Sequence, residues 1–385
     1  MKRLLLLFGV SLILLALYMD RQVPEHVVLH RARVVVISSL MNVIHTLMYI
    51  GETFFNYEYY HWLKFDFPIQ PVMDNGDVKA RNDVIADTPV RIYTPYSKTE
   101  SSISPGILFF HGGGFCCLSI EGFYHDIAMD LANRTGSIVI SVDYRLAPEY
   151  PHPVGLNDCF AVTKYVYEHS NQYGIDQNRL YISGDSSGGN FAAVINDMLA
   201  EKHSINLAGV ILVYPTLQMA TFDLPSCHTE SFGPLTRTLM AKFLTTYFNV
   251  SSTKYHQAVL EGRHVCRSDR SIEIFSKYLK DKVSMSEECD VELSQKMAAV
   301  LDKTASPLFN DDVSGLSRTL ILLAKADVLR DEGILYYERL KEKGVDVQLK
   351  IYDSAPHGFF SDGLCPTQYN MAMDEIVVFV NQSSS

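Results

Sequence analysis

Apolar and polar residues follow two alternating patterns from about residue 88 onward. Short apolar runs, typical of strands buried in a parallel sheet, occur at 106–110, 137–142, 179–182, 210–213 and 320–323, and residues 90–93 alternate like a strand. Segments with helical spacing separate most of them, at 156–169, 190–202 and 331–343. The pattern predicts an α/β fold with a mostly parallel central sheet flanked by helices. Residues 345–351 alternate apolar and polar, which predicts a strand nearer the sheet edge.

The alternation of strands and helices breaks between residues 217 and 316. A stripe at helical spacing occurs there, followed by a charged stretch at 284–303; the stripe is Leu235, Leu239, Met240, Phe243, Leu244 and Tyr247. An insertion of this size between two strands is usually a cap over the site at the carboxyl edge of the sheet, although a peripheral helical decoration is the alternative. Residues 30–62 also have a helical, broadly apolar pattern. We therefore predict a core of 88–216 and 317–385, a helical cap at 217–316 and an N-terminal helical or cap segment at 21–87.

The N-terminus has the composition of a membrane-targeting segment. Lys2 and Arg3 precede sixteen uncharged residues, 4–19, and Asp20 closes the run. Small residues are missing at the positions a signal peptidase needs, so we expect residues 1–20 to be an uncleaved signal anchor rather than a cleaved peptide. The positive-inside rule then leaves the rest of the chain in the lumen, as a single-pass type II protein. Three glycosylation sequons agree with that location, although such tripeptides also occur by chance; their asparagines are Asn133, Asn249 and Asn381.

Charge and cysteine content narrow the function classes. Hydrophobic residues make up 47% of the 385 residues and the formal net charge is −11, so a large core is expected and a nucleic-acid partner is not. Seven cysteines permit disulfides in an oxidising compartment, but the odd number leaves at least one unpaired. The Cys and His spacings match no zinc-site pattern, so we expect neither a metal nor a cofactor.

Gly184-Asp185-Ser186-Ser187-Gly188 follows one of the predicted strands. A serine between two glycines at such a strand-to-helix turn is exposed on a sharp elbow, where a neighbouring base can activate its hydroxyl. Ser186 is the predicted nucleophile. Ser187 is the nearby competitor, but Asp185 stands where its elbow glycine would be needed. A plain helix N-cap is the structural alternative for Ser186.

A base and an acid follow the serine in chain order. His357 lies just past the last predicted strand, and Asp327 closely follows the strand at 320–323. An imidazole can take the serine proton, and a carboxylate can orient it and stabilise its charged form. Asp331 and Glu332 are alternative carboxylates, although both also suit the first turn of a helix.

His111-Gly112-Gly113-Gly114 follows another predicted strand and is a candidate oxyanion loop. Backbone amides without side chains around them can donate hydrogen bonds to a tetrahedral intermediate, each commonly worth about 3 kcal/mol. We expect the amides of Gly113, Gly114 and Ser187 to be the donors, with Gly112 in the same loop and His111 bracing it. The structural alternative is a wide glycine turn.

These motifs resemble those of the hormone-sensitive-lipase branch of the α/β-hydrolases, and most closely the arylacetamide deacetylase family. The resemblance extends over roughly the whole chain, and it is carried by residues 111–115, 144–149, 184–189, 327–331 and 357–358. Ser187 stands where the family usually has alanine. Cys116 is similar to a family cysteine that pairs near the Asp motif, but residues 323–325 offer no partner, so that disulfide is not expected here.

The resemblance implies an α/β-hydrolase fold and a lumenal enzyme of the endoplasmic reticulum membrane. Its substrates would be small lipophilic esters or amides, cleaved through an acyl-enzyme on Ser186 with Asp327 and His357. Two other hypotheses remain: a lipase acting on neutral acylglycerols, which differs in pocket size and surface access, and a non-catalytic ligand-binding protein on the same fold.

Overall fold

A computed structural model of the chain describes residues 31–55, 76–97, 103–203, 205, 207–229, 233–279 and 283–382. Eight strands of this part form one sheet in the order β1-β2-β4-β3-β5-β6-β7-β8. The strands β3 to β8 run parallel, and β1 and β2 are antiparallel at one edge. In chain order the strands are β1 Val78–Ile85, β2 Thr88–Pro95, β3 Ser104–Phe110, β4 Ile138–Val142, β5 Ile175–Asp185, β6 Gly209–Val213, β7 Thr319–Ala326 and β8 Val347–Pro356.

The predicted strands all lie in this sheet. Strands β3, β4 and β6 are buried at every position, as expected for apolar runs covered on both faces. The alternating segment at 345–351 contributes to β8, which is the edge strand beyond β7. The fold is thus the predicted α/β fold with a mostly parallel sheet.

Strand β1 is a correction to the predicted domain boundary. It pairs with β2 through a tight turn in which Ala86 and Asp87 both have positive φ, so the sheet begins at Val78, inside the segment 21–87 that was predicted to be helical or cap. Two-residue hairpins of this geometry favour Asn-Gly or Asp-Gly, which this turn lacks. Only three of the eight β1 residues are buried, so the strand has no long apolar run. Neither usual sign of a hairpin is therefore present in the sequence.

Helices cover both faces of the sheet. In chain order they are α1 Arg31–Phe55, α2 Phe123–Thr135, α3 Val154–Glu168, α4 Ser187–His203, α5 Pro225–Thr229, α6 Arg237–Tyr247, α7 Ser252–Leu260, α8 Asp269–Tyr278, α9 Val291–Lys296, α10 Arg330–Glu342 and α11 Pro366–Asn381. Apolar residues of α3, α4 and α10 pack on one face, and those of α2 and α11 pack on the other. The core is therefore two apolar layers separated by the sheet.

The insertion between β6 and β7 consists of the helices α5 to α9 and two short 3₁₀ turns, Ala298–Leu301 and Pro307–Phe309. Helix α6 carries most of the apolar stripe predicted at 235–247, and it begins after Thr236, whose hydroxyl accepts from the Leu239 amide. A disulfide joins Cys266 to Cys289 within this insertion, and the other five cysteines are buried and not disulfide-bonded. The insertion thus carries its own covalent link.

The N-terminal predictions reach beyond the described residues. Helix α1 occupies 31–55 of the predicted helical segment, whereas the anchor predicted at 1–20 lies outside the described residues. Within the part of the chain that the structure describes, every helix is too short or too polar to cross a bilayer.

Candidate active site

Ser186 lies on the sharp turn between β5 and α4. Its φ is 54°, a left-handed conformation that is unusual for a residue other than glycine, and its amide donates to the carbonyl of Val213 at 2.9 Å. A side chain at Gly188 would bring its Cβ within 2.0 Å of the Phe110 carbonyl oxygen, and one at Gly184 would meet the Gly188 backbone at 2.4 Å. The two glycines therefore let the chain turn tightly enough to expose Ser186, which is partly accessible, whereas Ser187 is buried.

Ser186, His357 and Asp327 form a hydrogen-bonded row at the carboxyl edge of the sheet. His357 Nε2 lies 3.2 Å from Ser186 Oγ, and His357 Nδ1 lies 2.8 Å from Asp327 Oδ2. Asp327 is buried, and its other oxygen accepts from the Leu329 amide at 2.9 Å. The imidazole therefore has one nitrogen fixed by a carboxylate and the other directed at a serine hydroxyl, which is the arrangement that activates a serine.

The two alternative carboxylates, Asp331 and Glu332, form hydrogen bonds with residues other than His357. Asp331 Oδ2 accepts from the Ser226 amide at 2.9 Å, and the two oxygens of Glu332 accept from the Leu217 amide at 2.8 Å and from Gln218 Nε2 at 2.9 Å. Burial raises the pKa of Glu332 to about 8. Both side chains thus connect helix α10 to the first residues of the insertion, a role that the sequence pattern did not indicate.

The candidate oxyanion loop follows β3 and passes beside Ser186. Among the described residues, the amides of Gly113, Gly114 and Ser187 have no protein acceptor, and Gly113 and Gly114 both have positive φ. The amide of Gly112 differs, because it donates to the Tyr124 hydroxyl and to Asp185 Oδ1, both at 2.8 Å. Gly112 therefore anchors the loop and cannot also donate to an oxyanion.

His111 is buried below the glycines. Its Nδ1 lies 2.6 Å from the Gly112 carbonyl oxygen, and its ring stacks on that of Tyr144 with centroids 4.3 Å apart. The Tyr144 hydroxyl in turn donates to the His111 carbonyl at 2.7 Å. Burial lowers the pKa of His111 to about 4, so the ring is neutral near pH 7 and braces the loop through its Nδ1 proton.

Asp185 is a site residue that sequence reasoning missed. Besides the Gly112 amide, it accepts from the hydroxyls of Tyr124 at 2.9 Å and Tyr214 at 3.4 Å. The Tyr214 ring lies 4.6 Å from that of His357, so one carboxylate connects the oxyanion loop to the surroundings of the base. Burial raises the pKa of Asp185 to about 6. The sequence signal that could have identified it is an acidic residue at the buried end of β5, directly before the elbow serine.

A small apolar cavity, partly open to solvent, adjoins Ser186. Helix α6 and the residues before it supply one wall, including Leu235, Phe243 and Leu244. Phe243 packs directly on Gly114, where a Cβ would come within 2.4 Å of its ring. The insertion therefore contacts both the cavity and the candidate oxyanion loop.

Part of the apolar stripe predicted at 235–247, and the helical segment at 34–48, lie away from this cavity. Leu239 and Tyr247 do not line it; Tyr247 stacks on Phe115 at 3.9 Å, and its hydroxyl lies 3.0 Å from His152 Nδ1. The described residues of segment 34–48 do not line it either. Tyr247 thus secures α6 to the residue after the glycine loop rather than facing the cavity.

The remaining candidates are the three sequon asparagines and any group of side chains that could bind a metal. Asn133, Asn249 and Asn381 are all exposed. In the described ranges, His, Cys, Asp and Glu side chains form no cluster of three or more that suits a metal ion.

Comparison with known proteins places this site in a family context. The sequence model of the alpha/beta hydrolase fold family Abhydrolase_3 matches residues 107–267 and 268–361. Arylacetamide deacetylase of Bos taurus is 34% identical over 305 residues, covering 75% of this chain and 76% of that protein. Neutral cholesterol ester hydrolase 1 of Mus musculus is 28% identical over 324 residues, covering 79% of this chain and 79% of that protein.

A solved structure agrees with the sequence comparisons. The hyperthermophilic esterase of the archaeon Pyrobaculum calidifontis superposes with a TM-score of 0.61 at 26% identity, covering 90% of this chain and 92% of the esterase. Relatives in sequence and in structure are thus ester-cleaving or amide-cleaving enzymes by name. The hypothesis of a non-catalytic binding protein has no support from them.

Proposed function

Because this chain belongs to the arylacetamide deacetylase family of alpha/beta hydrolases and is an esterase-type hydrolase, we propose that Ser186, His357 and Asp327 are its catalytic triad. The observation that carries the proposal is the row of hydrogen bonds from Ser186 Oγ through the His357 ring to Asp327 Oδ2, at 3.2 Å and 2.8 Å. His357 takes the hydroxyl proton as Ser186 Oγ attacks the carbonyl carbon. Asp327 stabilises the imidazolium that results.

The second half of the reaction uses the same groups. The tetrahedral oxyanion accepts from the amides of Gly113, Gly114 and Ser187, and its collapse expels the alcohol or amine, which receives the proton held on His357 Nε2. This leaves an acyl-enzyme on Ser186. Water, deprotonated by His357, then attacks the acyl carbonyl and releases the acid.

The lining of the cavity supports a lipophilic substrate. Its walls are mainly apolar, and besides Ser186 the polar residues that line it are Thr216 and Gln218. Such a surface favours an apolar acyl or alcohol group and offers no charged partner for a charged one. An arylacetamide or a small lipophilic ester is the primary candidate, and the name of the mouse relative favours a neutral-lipid ester as the second.

The proposal extends to the location of the enzyme. Residues 4–19 would anchor it in the endoplasmic reticulum membrane, with the catalytic domain in the lumen. The Cys266–Cys289 disulfide supports an oxidising compartment, and exposure of the three sequon asparagines is compatible with glycosylation there.

Replacement of the serine tests the triad. We expect Ser186→Ala to abolish ester hydrolysis and labelling by a fluorophosphonate probe, because no other hydroxyl is hydrogen-bonded to His357 Nε2 among the described residues. Ser187→Ala is the matched control, since it removes a buried hydroxyl from the same turn and keeps the backbone amide. Labelling that survives in Ser186→Ala and disappears in Ser187→Ala would transfer the nucleophile to Ser187.

A substrate panel separates the two candidate classes. Hydrolysis would be compared across an acyl-chain series of p-nitrophenyl esters, an arylacetamide and a diacylglycerol. Preference for acetyl esters and the arylacetamide supports the deacetylase assignment. Preference for long acyl chains and the diacylglycerol supports a lipase.

A further inference from the structure

Helix α1 has apolar residues on two opposite sides. Val34 and Met48 are buried against the rest of the molecule, as is the polar Ser38 between them. The opposite side is exposed, with accessible fractions of 63% for Val36, 56% for Leu40, 50% for Leu47, 39% for Ile50 and 73% for Phe54. A helix that packs on one core usually presents polar residues to water, so this second side is not explained by the fold of the chain.

The exposed residues form one continuous stripe. They are separated by three, four or seven positions, which brings them to the same side of a helix. From Val34 to Gly51 the helix contains no Asp, Glu, Lys or Arg, so no charged residue lies between Val36 and Ile50. Contiguous exposed apolar surface of this kind marks an interaction site.

The first turn of helix α1 contacts a loop at the catalytic edge of the sheet. The Arg33 guanidinium donates to the carbonyl oxygens of Asp362 and Gly363, at 3.5 Å and 3.4 Å. Those residues belong to the loop that follows His357. The start of α1 therefore contacts the loop that follows the base His357.

The sequence that precedes α1 indicates what covers its exposed stripe. Residues 4–19 are uncharged, and only residues 20–30 separate them from the start of the helix. That connection, even fully extended, reaches at most about 40 Å, so insertion of 4–19 keeps α1 next to the bilayer at high effective concentration. An apolar helix side held there gains free energy by entering the interface between headgroups and acyl chains.

We propose that the exposed stripe of α1 lies in the membrane surface and holds the catalytic edge against the bilayer. The enzyme then takes apolar esters dissolved in that bilayer in preference to the same esters in water. This inference rests on the anchor included in the proposed function, and it adds a second, separate contact with lipid.

Site-directed fluorescence on the full chain tests the contact. Leu47→Cys and, separately, Phe54→Cys would be labelled with an environment-sensitive dye, in phosphatidylcholine vesicles that contain a lipid spin-labelled near its headgroup. Ile272→Cys is the control, because Ile272 is also half exposed but lies on α8. The five native cysteines outside the disulfide are buried, which limits background labelling. We expect quenching at positions 47 and 54 to exceed that at 272 by about twofold or more.

The outcomes distinguish the anchor from the stripe. A protein that does not float with the vesicles overturns both. Flotation with positions 47 and 54 quenched no more than 272 overturns the surface contact and leaves the anchor intact. If those positions are unquenched and the protein is dimeric in dilute detergent, the stripe is an interface between two copies.

Kinetics give a second test on the full chain. We expect L40S, L47S and F54S together to reduce hydrolysis of an ester dissolved in vesicles by roughly tenfold, through loss of local concentration. Hydrolysis of a water-soluble ester should stay within about twofold, which also shows that the variant folds. I272S with V291S, on the insertion, is the matched control. Equal loss on both substrates, or loss on neither, overturns the proposal.

Discussion

Asp327 and Asp331 lie four positions apart, yet their carboxylates reach different parts of the molecule. Asp327 contacts His357 Nδ1, whereas Asp331 accepts from the Ser226 amide at the start of α5. The difference follows from position: Asp327 comes directly after β7 and Asp331 is in the first turn of α10. Residues at the carboxyl ends of parallel strands meet at one edge of the sheet, which explains why Asp327 meets a histidine from the end of β8.

Amide substitutions at the two aspartates separate these roles. We expect Asp327→Asn to lower kcat by about four orders of magnitude, because the neutral amide no longer holds the imidazole in the required tautomer or stabilises its charged form. Asp331→Asn should lower kcat far less, since its side chain is bonded to the insertion. Steady-state kinetics on a soluble ester measure both. If Asp331→Asn had the larger effect, the acid of the triad would be misassigned.

At the scale of whole elements, α6 joins the substrate cavity to the oxyanion loop. Phe243 packs on Gly114 and Tyr247 stacks on Phe115, so two aromatic side chains of one helix contact the last glycine of the loop and the residue that follows it. The periodicity of the sequence identified the stripe on this helix. It could not distinguish the residue that faces the cavity from the one that faces the loop, because that depends on how α6 is placed on the core.

A charge at Phe243 tests whether the insertion contacts substrate. We expect Phe243→Glu to raise KM for long-chain esters by roughly tenfold and to raise it less for acetate esters, because each methylene buried against an apolar wall contributes about 0.8 kcal/mol. Ile272→Glu on α8 is the control, since Ile272 does not line the cavity. Equal increases for both esters would mean that the insertion does not bind the acyl chain.

The strands and site residues that the sequence predicts differ from those it does not predict in whether a local pattern marks them. Strands β3 to β7 were predictable because burial on both faces leaves an unbroken apolar run. Strand β1 was not, since half of it is exposed and its turn is Ala86-Asp87. At the site, Ser186, Asp327 and His357 follow from motif spacing, but the use of the Gly112 amide by Tyr124 and Asp185 is a tertiary contact without local sequence pattern.

Glu332 provides a pH-dependent test of how the insertion is held on the core. Burial raises its pKa from 4.5 to about 8 in the folded protein, so the folded state keeps a proton that the unfolded chain releases at lower pH. This contribution to stability is fully present below the unfolded pKa and is lost as the pH rises towards about 8.

We therefore expect the unfolding free energy to fall between about pH 5 and about pH 8, and to fall less in Glu332→Gln, which cannot titrate. Denaturant titrations across this range measure the difference. Glu342→Gln, an exposed change at the end of the same helix, should keep the slope of the parent protein. A slope unchanged in Glu332→Gln would show that the carboxyl is ionised throughout this range.

At the scale of the whole molecule, the remaining question is how the α/β core is placed relative to the membrane. Lys2 and Arg3 precede the uncharged run at 4–19, and that order predicts a cytosolic N-terminus with a lumenal core. As a helix the run would be about 24 Å long, closer to the roughly 27 Å hydrocarbon thickness of the endoplasmic reticulum than to a thicker plasma membrane. The Cys266–Cys289 disulfide independently favours the lumenal side.

Extraction and glycosidase treatment test that orientation. We expect the full-length protein to stay in the membrane pellet in alkaline carbonate, because an uncleaved apolar helix is not released by breaking ionic contacts. Endoglycosidase H should increase its mobility if Asn133, Asn249 or Asn381 carries a glycan, with Asn381 the least used because it lies close to the C-terminus. Asn→Gln changes at the three sites, made singly, identify which ones are modified. A secreted protein whose N-terminus begins after residue 19 would contradict the anchor and, with it, the lipid contact of α1, while the triad at the catalytic edge would be unaffected.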